Sequence, residues 1–183
     1  MKEGYVIRDQ TLPHFITATV VDWVDVFSRK IYRDSIIECF EYCIKNKGMI
    51  LNSYVIMSNH IHMIVQSDKG ELSNLLRDFK KFTAKIILEK IQTEPESRKE
   101  WILERFQSAT ETHSRNKNFQ FWQYGNHAEE IYSEKFMWSK IDYIYSSASN
   151  YVDGKGIIDI ALLDILVVNV LNSNSFVKYN SYE

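Results

Sequence analysis

Residues 54–66 read YVIMSNHIHMIVQ, and this stretch decides the fold. Two apolar runs flank the polar pair Ser58-Asn59, and asparagine is a residue that favours turns. The pattern predicts a β-hairpin whose second strand begins close to His60. Because side chains alternate between the two faces of a strand, His60 and His62 are predicted to project from one face and Ile61 from the other.

The histidine pair has the chemistry of half a metal site. Neutral histidine is a common ligand for divalent cations, and two imidazoles on one face of a rigid strand are already held close together. A cation bound there would polarise an oxygen of a phosphate or a carbonyl group. Half-buried histidines that only pack and hydrogen-bond also occur on strands. The spacing of His60 and His62 alone therefore leaves a metal site and a structural pair open.

The composition is that of an ordinary globular domain. The 183 residues are 45% hydrophobic and 25% charged, which predicts one domain with a sizeable core. The net charge of −2 indicates that a nucleic-acid partner would bind a local basic face. No apolar signal segment follows Met1, and the most apolar tract, residues 157–171, contains two aspartates and is too short to cross a bilayer. We expect a cytoplasmic protein without a membrane partner.

Two cysteines, Cys39 and Cys43, lie four residues apart in a predicted helix and therefore share one face of it. No Cys-His cluster accompanies them in the sequence, and a structural zinc ion usually needs four ligands. We interpret both as reduced thiols packed in the interior of a cytoplasmic protein.

The order of the predicted elements indicates an antiparallel sheet covered by helices. A strand is predicted over residues 14–24 and a helix over residues 35–47, ended by Gly48. The hairpin supplies the second and third strands, and an apolar stripe predicts a long amphipathic helix over residues 71–92. This order predicts an α+β fold, a ferredoxin-like sandwich with the helices on one face of the sheet and the third strand in its centre.

The second half of the chain is less regular. Residues 94–117 form a charge-rich, partly helical excursion, and residues 118–122 are predicted to be a short fourth strand. A helix is predicted over residues 133–150, and residues 172–183 are interpreted as a flexible tail. All of these segments are assigned to a single domain, residues 1–183.

Several segments of the chain resemble one known family. They are residues 55–65 (VIMSNHIHMIV), residues 75–83 (LLRDFKKFT), Phe121-Trp122-Gln123 with Asn126-His127, and residues 140–144 (KIDYI). In this combination the chain resembles the single-tyrosine HUH transposases of insertion sequences, and in particular the REP-associated tyrosine transposases. The resemblance covers most of residues 14–152.

The resemblance implies a ferredoxin-like nuclease domain that nicks and rejoins single-stranded or hairpin DNA. The matching histidines, His60 and His62, would bind Mg²⁺ or Mn²⁺, which would grip an oxygen of the scissile phosphate. The matching tyrosine, Tyr143, would attack phosphorus and form a 5′-phosphotyrosine intermediate that stores the bond for rejoining. Relatives occur as monomers and as homodimers, so both oligomeric states are possible for this chain.

The residues alone do not select the nucleophile. Tyr143 and Tyr145 cannot share a face of one helix, so only one of them can point toward the histidines. The resemblance selects Tyr143, and Tyr145 is the alternative. His14 and His113 have no such context and are interpreted as surface residues.

Cations recur on the polar side of the predicted long helix. A charged helix face is often only solvated, but a single DNA strand needs a positive track beside aromatic surfaces. We therefore assign these cations to phosphate contacts. They are Arg77, Lys80, Lys81 and Lys85. His127, whose surroundings match the family, is assigned to DNA or to the site, with a structural hydrogen bond as the alternative.

The chain departs from the family pattern after Tyr143. Relatives carry an Asn-Pro-Val-x-Ala-Gly stretch there and an Asn or Gln four residues after the tyrosine, whereas this chain lacks the stretch and has Ser147 at that position. A serine hydroxyl is a poor ligand for a hard divalent cation. A catalytically impaired relative that binds structured single-stranded DNA is therefore one alternative. Another is an unrelated metallohydrolase with a third ligand from Glu129 or Glu130.

Overall fold

A computed structural model describes residues 7–111, 118–125, 127–130 and 156–160, with backbone only at positions 127, 129 and 130. Its elements in chain order are β1 (His14–Thr19), α1 (Lys30–Lys47), β2 (Met49–Ile56), β3 (His60–Ser67), α2 (Leu72–Thr93), α3 (Lys99–Glu111) and β4 (His127–Glu130). Two short 3₁₀ turns, Val21–Trp23 and Val26–Ser28, lie between β1 and α1.

The four strands form one antiparallel sheet in the order β2-β3-β1-β4. The strand β3 is therefore an interior strand, as the sequence predicted. Its His62 lies opposite Thr17 of β1 and Val55 of β2. With α1 and α2 packed on the sheet, the predicted α+β, ferredoxin-like architecture is confirmed.

One face of the sheet forms the hydrophobic core with these two helices. On β3 the side chains of Ile61, Met63 and Val65 are almost completely buried. The ring of Tyr54 on β2 lies 5.5 Å from that of Phe40 on α1, which in turn stacks on a phenylalanine of α2 at 4.9 Å. Each large apolar side chain buried in this way contributes about 1.5–3 kcal/mol, so this face fixes the position of β3.

The predicted hairpin and the helix before it are confirmed, with longer strands than the sequence indicated. Gly48 ends α1 in a left-handed conformation, φ 72°, and its N–H donates to the carbonyl of Cys43. A Cβ at this position would lie 1.7 Å from Oδ1 of Asp68. Glycine therefore allows α1 to turn directly into β2 beside the end of β3.

Two predicted boundaries were wrong. The strand predicted over residues 14–24 ends at Thr19, because the chain then enters a 3₁₀ turn. The helix α1 begins at Lys30 rather than at residue 35, and Tyr32 in its first turns is completely buried. The apolar stripe of α1 is thus longer than the sequence indicated. By contrast, α2 agrees with its predicted range to within one residue at each end.

Residues 118–122 do not form a strand. Only Trp122 makes an isolated bridge, with Val20, while the side chains of Phe121 and Trp122 are buried. The indole Nε1 donates to the carbonyl of Lys80 and to the hydroxyl of Thr83 on α2. Packing and these hydrogen bonds replace a strand ladder here, and the fourth strand is β4 instead.

The charge-rich excursion contains α3, which confirms and extends its predicted helical part. Phe106 of α3 is completely buried, and its ring lies 5.3 Å from that of Phe121. The predicted helix over residues 133–150 and the predicted tail over residues 172–183 lie outside the described residues.

Both cysteines are free and buried, as predicted. Burial raises the pKa of the Cys39 thiol to about 12 and that of the Cys43 thiol to about 11. The interpretation of His14 as a surface residue was wrong, since its side chain is buried and Nδ1 donates to the carbonyl of Leu12. In the part of the chain that the structure describes, no helix combines the length and apolar character that crossing a membrane requires.

Candidate metal and DNA site

The two histidines of β3 lie side by side on the sheet face opposite the core helices. Nε2 of His60 and Nε2 of His62 are 3.0 Å apart, and the ring centroids are 4.6 Å apart with the rings at 75° to each other. Both side chains are partly exposed. The geometric expectation from the strand pattern, two imidazoles on one face, is what the structure has.

Asn59, in the turn before β3, fixes the proton on His60. Its Nδ2 donates to the carbonyl of Trp23 at 3.2 Å, and its Oδ1 lies 2.7 Å from Nδ1 of His60. Because the carbonyl of Trp23 can only accept, the amide orientation of Asn59 is set, and Oδ1 must accept a hydrogen from Nδ1 of His60. A neutral His60 therefore carries its lone pair on Nε2, toward His62.

Two neighbours on β1 hold the ring of His62. The hydroxyl of Thr17 lies 2.9 Å from Nδ1 of His62, and the ring of Phe15 stacks on the imidazole at 5.2 Å with an interplanar angle of 24°. A threonine hydroxyl can donate to Nδ1 or accept from it. The position of the ring is therefore fixed, while its tautomer follows the direction of this hydrogen bond.

A separation of 3.0 Å between two Nε2 atoms requires something between their lone pairs. One solution is a hydrogen on Nε2 of His62, which the Thr17 hydroxyl permits by donating to Nδ1. The other is a cation: two neighbouring ligands of an octahedral ion with bonds of about 2.1 Å lie about 3.0 Å apart. In that case the Thr17 hydroxyl accepts from Nδ1, and both Nε2 atoms are ligands. The arrangement thus fits a small divalent cation.

The described residues would supply two of the ligands that such a cation needs. Among them no group of three or more His, Cys, Asp or Glu side chains comes together. The backbone of His127 lies opposite Thr17, and that of Glu129 lies opposite Phe15. Tyr143, Tyr145, Ser147 and His113 lie outside the described residues.

A groove of about 530 Å³ runs between α2 and residues 119–125. It contains all four cations assigned to DNA, together with aromatic side chains. Its charged and aromatic lining consists of Arg77, Lys80, Lys81, Lys85, Phe119, Phe121, Trp122 and Tyr124. Lys81 and Lys85 are exposed, and Arg77 is exposed in an ion pair with Asp78 at 3.0 Å. Exposed pairs of this kind are weak, so Arg77 can exchange Asp78 for another anion at little cost.

Lys80 differs from its three neighbours. Its ammonium donates to the carbonyls of Gln123 and Gly125 at 3.0 and 3.2 Å, and burial lowers its pKa to about 8. The side chain ties α2 to the segment that precedes β4. Helical periodicity placed Lys80 on the polar side of α2 but could not reveal which backbone packs over that position.

Sequence reasoning missed three residues around the histidine pair. Asn59 was recognised only as a turn residue, Thr17 only as part of a strand, and Trp23 only as part of a strand that in fact ends earlier. The pairing of Thr17 with His62 depends on the register between strands 45 residues apart, which the sequence does not state. The Asn59-His60 adjacency is the one signal that was visible in the sequence.

The fold and the paired histidines define an α+β protein with a candidate cation site on its sheet. The family model described as "Transposase IS200 like" matches residues 11–153. The chain therefore belongs to the IS200-like transposase family, and it is a transposase that acts on DNA. This confirms the family that the sequence resembled. A comparison with curated proteins found no match.

Two solved structures are similar to this one. The first is a REP-associated tyrosine transposase bound to a REP hairpin, with 18% identity, 86% of this chain and 76% of that chain covered, and a TM-score of 0.44. The second is described as a transposase from Deinococcus radiodurans R1, with 11% identity, 86% of this chain and 100% of that chain covered, and a TM-score of 0.46.

Proposed function

We propose that this transposase nicks and rejoins single-stranded hairpin DNA through a covalent tyrosine intermediate. His60 and His62 hold Mg²⁺ or Mn²⁺, and when bound the ion supplies positive charge to a non-bridging oxygen of the scissile phosphate. The single observation that carries this proposal is the 3.0 Å approach of the two Nε2 atoms. The Nδ1 atoms of the two rings are engaged by Asn59 and Thr17, so the Nε2 atoms are the ring nitrogens that approach each other.

Tyr143 is the proposed nucleophile. Its phenolate oxygen forms a bond to phosphorus, the bond between phosphorus and the 3′ oxygen breaks, and the 3′ oxygen leaves as a hydroxyl after taking up a proton. The DNA 5′ end is then attached to the tyrosine, and attack by a 3′ hydroxyl in the reverse reaction rejoins the strand. No external energy is needed because the phosphodiester is exchanged for a phosphotyrosine bond.

The groove beside α2 is the proposed track for the DNA backbone. Arg77, Lys81 and Lys85 are exposed along it and contact phosphates, whereas Lys80 acts mainly by holding the opposite wall of the groove. Among the aromatic side chains that line this groove, Phe119 and Tyr124 are not buried. They suit unpaired bases better than duplex, because neighbouring bases cover the ring faces in a duplex. His127 is proposed to contact DNA or the site from β4. The proposal places this activity in the cytoplasm and applies equally to a monomer and a homodimer.

A second candidate function is DNA binding without cleavage. Ser147 replaces the amide ligand that relatives carry four residues after the tyrosine, and the Asn-Pro stretch is absent. Such a protein would keep the basic groove and lose the covalent step. Salt-sensitive binding of hairpin DNA without any turnover would favour it.

The test is a denaturing gel with end-labelled single-stranded hairpin DNA and Mn²⁺. We expect a protein–DNA adduct in the wild type, its loss in Tyr143→Phe with DNA binding retained, and its persistence in the matched control Tyr145→Phe. An undiminished adduct in Tyr143→Phe would contradict the assigned nucleophile. If the wild type binds the DNA but forms no adduct, the proposed enzymatic function is rejected in favour of DNA binding without cleavage.

A further inference from the structure

We propose that Trp23 is a base-stacking residue that receives an unpaired nucleobase beside the histidine pair. This inference rests on the proposed function, because it takes the phosphate at His60 and His62 as the neighbour of that base. It adds a binding site for one nucleobase outside the groove of α2.

The exposure of Trp23 is the first observation. Its side chain is 60% exposed, whereas Val21, Val24 and Val26 in the same segment are buried. The segment is therefore anchored by apolar side chains on both sides of a tryptophan that faces solvent. A large aromatic side chain held in water has an unused ring face, and bases stack on such faces without requiring a particular sequence.

The position of Trp23 is the second observation. Its ring centroid lies 6.1 Å from that of His60, and the rings are at 77° to each other. The indole thus stands at the edge of the histidine pair. A nucleotide whose phosphate lies at the pair carries a base within reach of this ring, since sugar, phosphate and base are consecutive parts of one nucleotide.

The backbone of this segment is the third observation. Asp22 and Trp23 both have positive φ, 52° and 56°. Aspartate tolerates this conformation, but it is uncommon and unfavourable for a bulky side chain such as that of Trp23. Strained backbone persists where the surrounding structure holds it, and functional sites are frequent among such places. In this conformation the indole of Trp23 faces solvent instead of the core.

The hydrogen bonds that hold this segment come from the turn before β3. The N–H of Val20 donates to the carbonyl of Asn59 at 2.9 Å, and that of Phe27 donates to the carbonyl of Ser58 at 2.8 Å. Between them, Nδ2 of Asn59 donates to the carbonyl of Trp23. One turn therefore positions both His60 and Trp23, so the indole is preorganised relative to the metal site and loses little entropy on binding.

The test measures binding of two single-stranded oligonucleotides of about 20 nucleotides, long enough to fill one binding site. One is a thymidine homopolymer, and the other has the same backbone with abasic sugars. The proteins are the wild type, Trp23→Ala, Trp23→Phe, and the control Trp101→Ala, which removes another exposed tryptophan, on α3. Readouts are fluorescence anisotropy of the labelled oligonucleotide and quenching of tryptophan fluorescence.

We expect Trp23→Ala to bind the thymidine oligonucleotide about tenfold more weakly, with a smaller loss for Trp23→Phe, because a phenyl ring still stacks. Binding of the abasic oligonucleotide should be the same in all four proteins. Quenching by the thymidine oligonucleotide should be lost in Trp23→Phe and retained in Trp101→Ala.

The stacking role would be overturned if Trp23→Ala bound the thymidine oligonucleotide as tightly as the wild type does. It would also be overturned if the variant lost equal affinity for the thymidine and the abasic oligonucleotides. Mn²⁺ binding separates this inference from the proposed function, because Trp23→Ala should bind Mn²⁺ as the wild type does. If the wild type fails to bind either oligonucleotide, the proposed function and the stacking role both fall. If it binds but forms no covalent adduct, the stacking role stands on its own.

Discussion

The two faces of β3 differ over its first four residues, although side chains alternate along all eight positions of the strand. Farther along, Ile64 is buried on the same face as the histidines. On the core face, Ile61, Met63 and Val65 are buried against the helices. On the other face, His60 and His62 are partly exposed and hydrogen-bonded to polar groups. The core face fixes where the strand lies, and the histidine face is the proposed site of chemistry at that position.

The difference between the two faces shows how the two imidazoles are held in a fixed relative position. A pair of imidazoles on a loop would need its own constraints to keep two nitrogen atoms 3.0 Å apart. On an interior strand, the apolar contacts of the opposite face supply most of that constraint. Only the ring orientations remain to be set, and Thr17 and Asn59 set them. Substitutions on the two faces should therefore separate stability from cation binding.

The largest effect on stability is expected on the core face. Ile61→Ala removes a completely buried side chain and should lower the free energy of unfolding by about 2–5 kcal/mol. Urea or thermal unfolding measures this loss. At temperatures where the variant is folded it should bind Mn²⁺ as the wild type does. A stability change below 1 kcal/mol would contradict the division between the two faces.

On the histidine face, Thr17→Val should weaken Mn²⁺ binding by about 10- to 100-fold. Valine keeps the shape of threonine but cannot accept the hydrogen of Nδ1, so the tautomer of His62 that is protonated on Nδ1 loses its hydrogen-bond acceptor. Thr17→Ser restores the hydroxyl and should restore affinity. The ¹⁵N chemical shifts of the His62 ring report the tautomer directly. Unchanged shifts and affinity in Thr17→Val would show that the hydroxyl has no such role.

Lys80 gives a pH-dependent effect at the groove wall. Burial lowers its pKa from 10.5 to about 8 in the folded protein. Between these two values the unfolded chain binds more protons at this residue than the folded chain does, so folding is favoured as the pH rises. The stability of the wild type relative to Lys80→Met should therefore increase from pH 8 to pH 10, by on the order of 1–2 kcal/mol. A difference independent of pH would mean that Lys80 is as solvated as an ordinary surface lysine.

The smallest effect is expected for an exposed lysine of the groove. Lys81→Ala should reduce the salt dependence of hairpin-DNA binding by about one phosphate contact, that is, by about 0.7–0.9 in the slope of log K against log salt concentration. Lys45→Ala, an exposed lysine of α1 outside the groove, is the matched control and should leave the slope unchanged. Equal slopes for the two variants would contradict the proposal that the groove contacts the DNA backbone.

The sequence predicted those features that depend on local patterns. The alternation around His60, the stripe of α2 and the glycine at the end of α1 are visible within short windows, and all three are confirmed. The family, too, could be recognised from short motifs. The site on the histidine face was predicted only as a pair of residues on one side of a strand.

The features that the sequence did not reveal depend on contacts between distant segments. Thr17 reaches His62 through strand register, and Lys80 reaches Gln123 through packing of a loop against α2. The predicted strand over residues 118–122 was wrong for the same reason, since burial of Phe121 and Trp122 outweighs their strand propensity. Trp23 was assigned to a strand because residues 22 and 23 both have positive φ, and no glycine in the sequence indicates this conformation there.

The most direct test of whether the histidine pair binds a cation is a titration with Mn²⁺ that is monitored by electron paramagnetic resonance. The wild type should bind one Mn²⁺ per chain, and His60→Ala and His62→Ala should each weaken that binding by at least about 100-fold, because each removes one of two converging ligands. His14→Gln, a change at a buried histidine of β1 with its own partner at Leu12, should leave the affinity unchanged. Mn²⁺ binding that is the same in all four proteins would contradict the account, because the approach of the two Nε2 atoms would then be only a hydrogen bond between imidazoles.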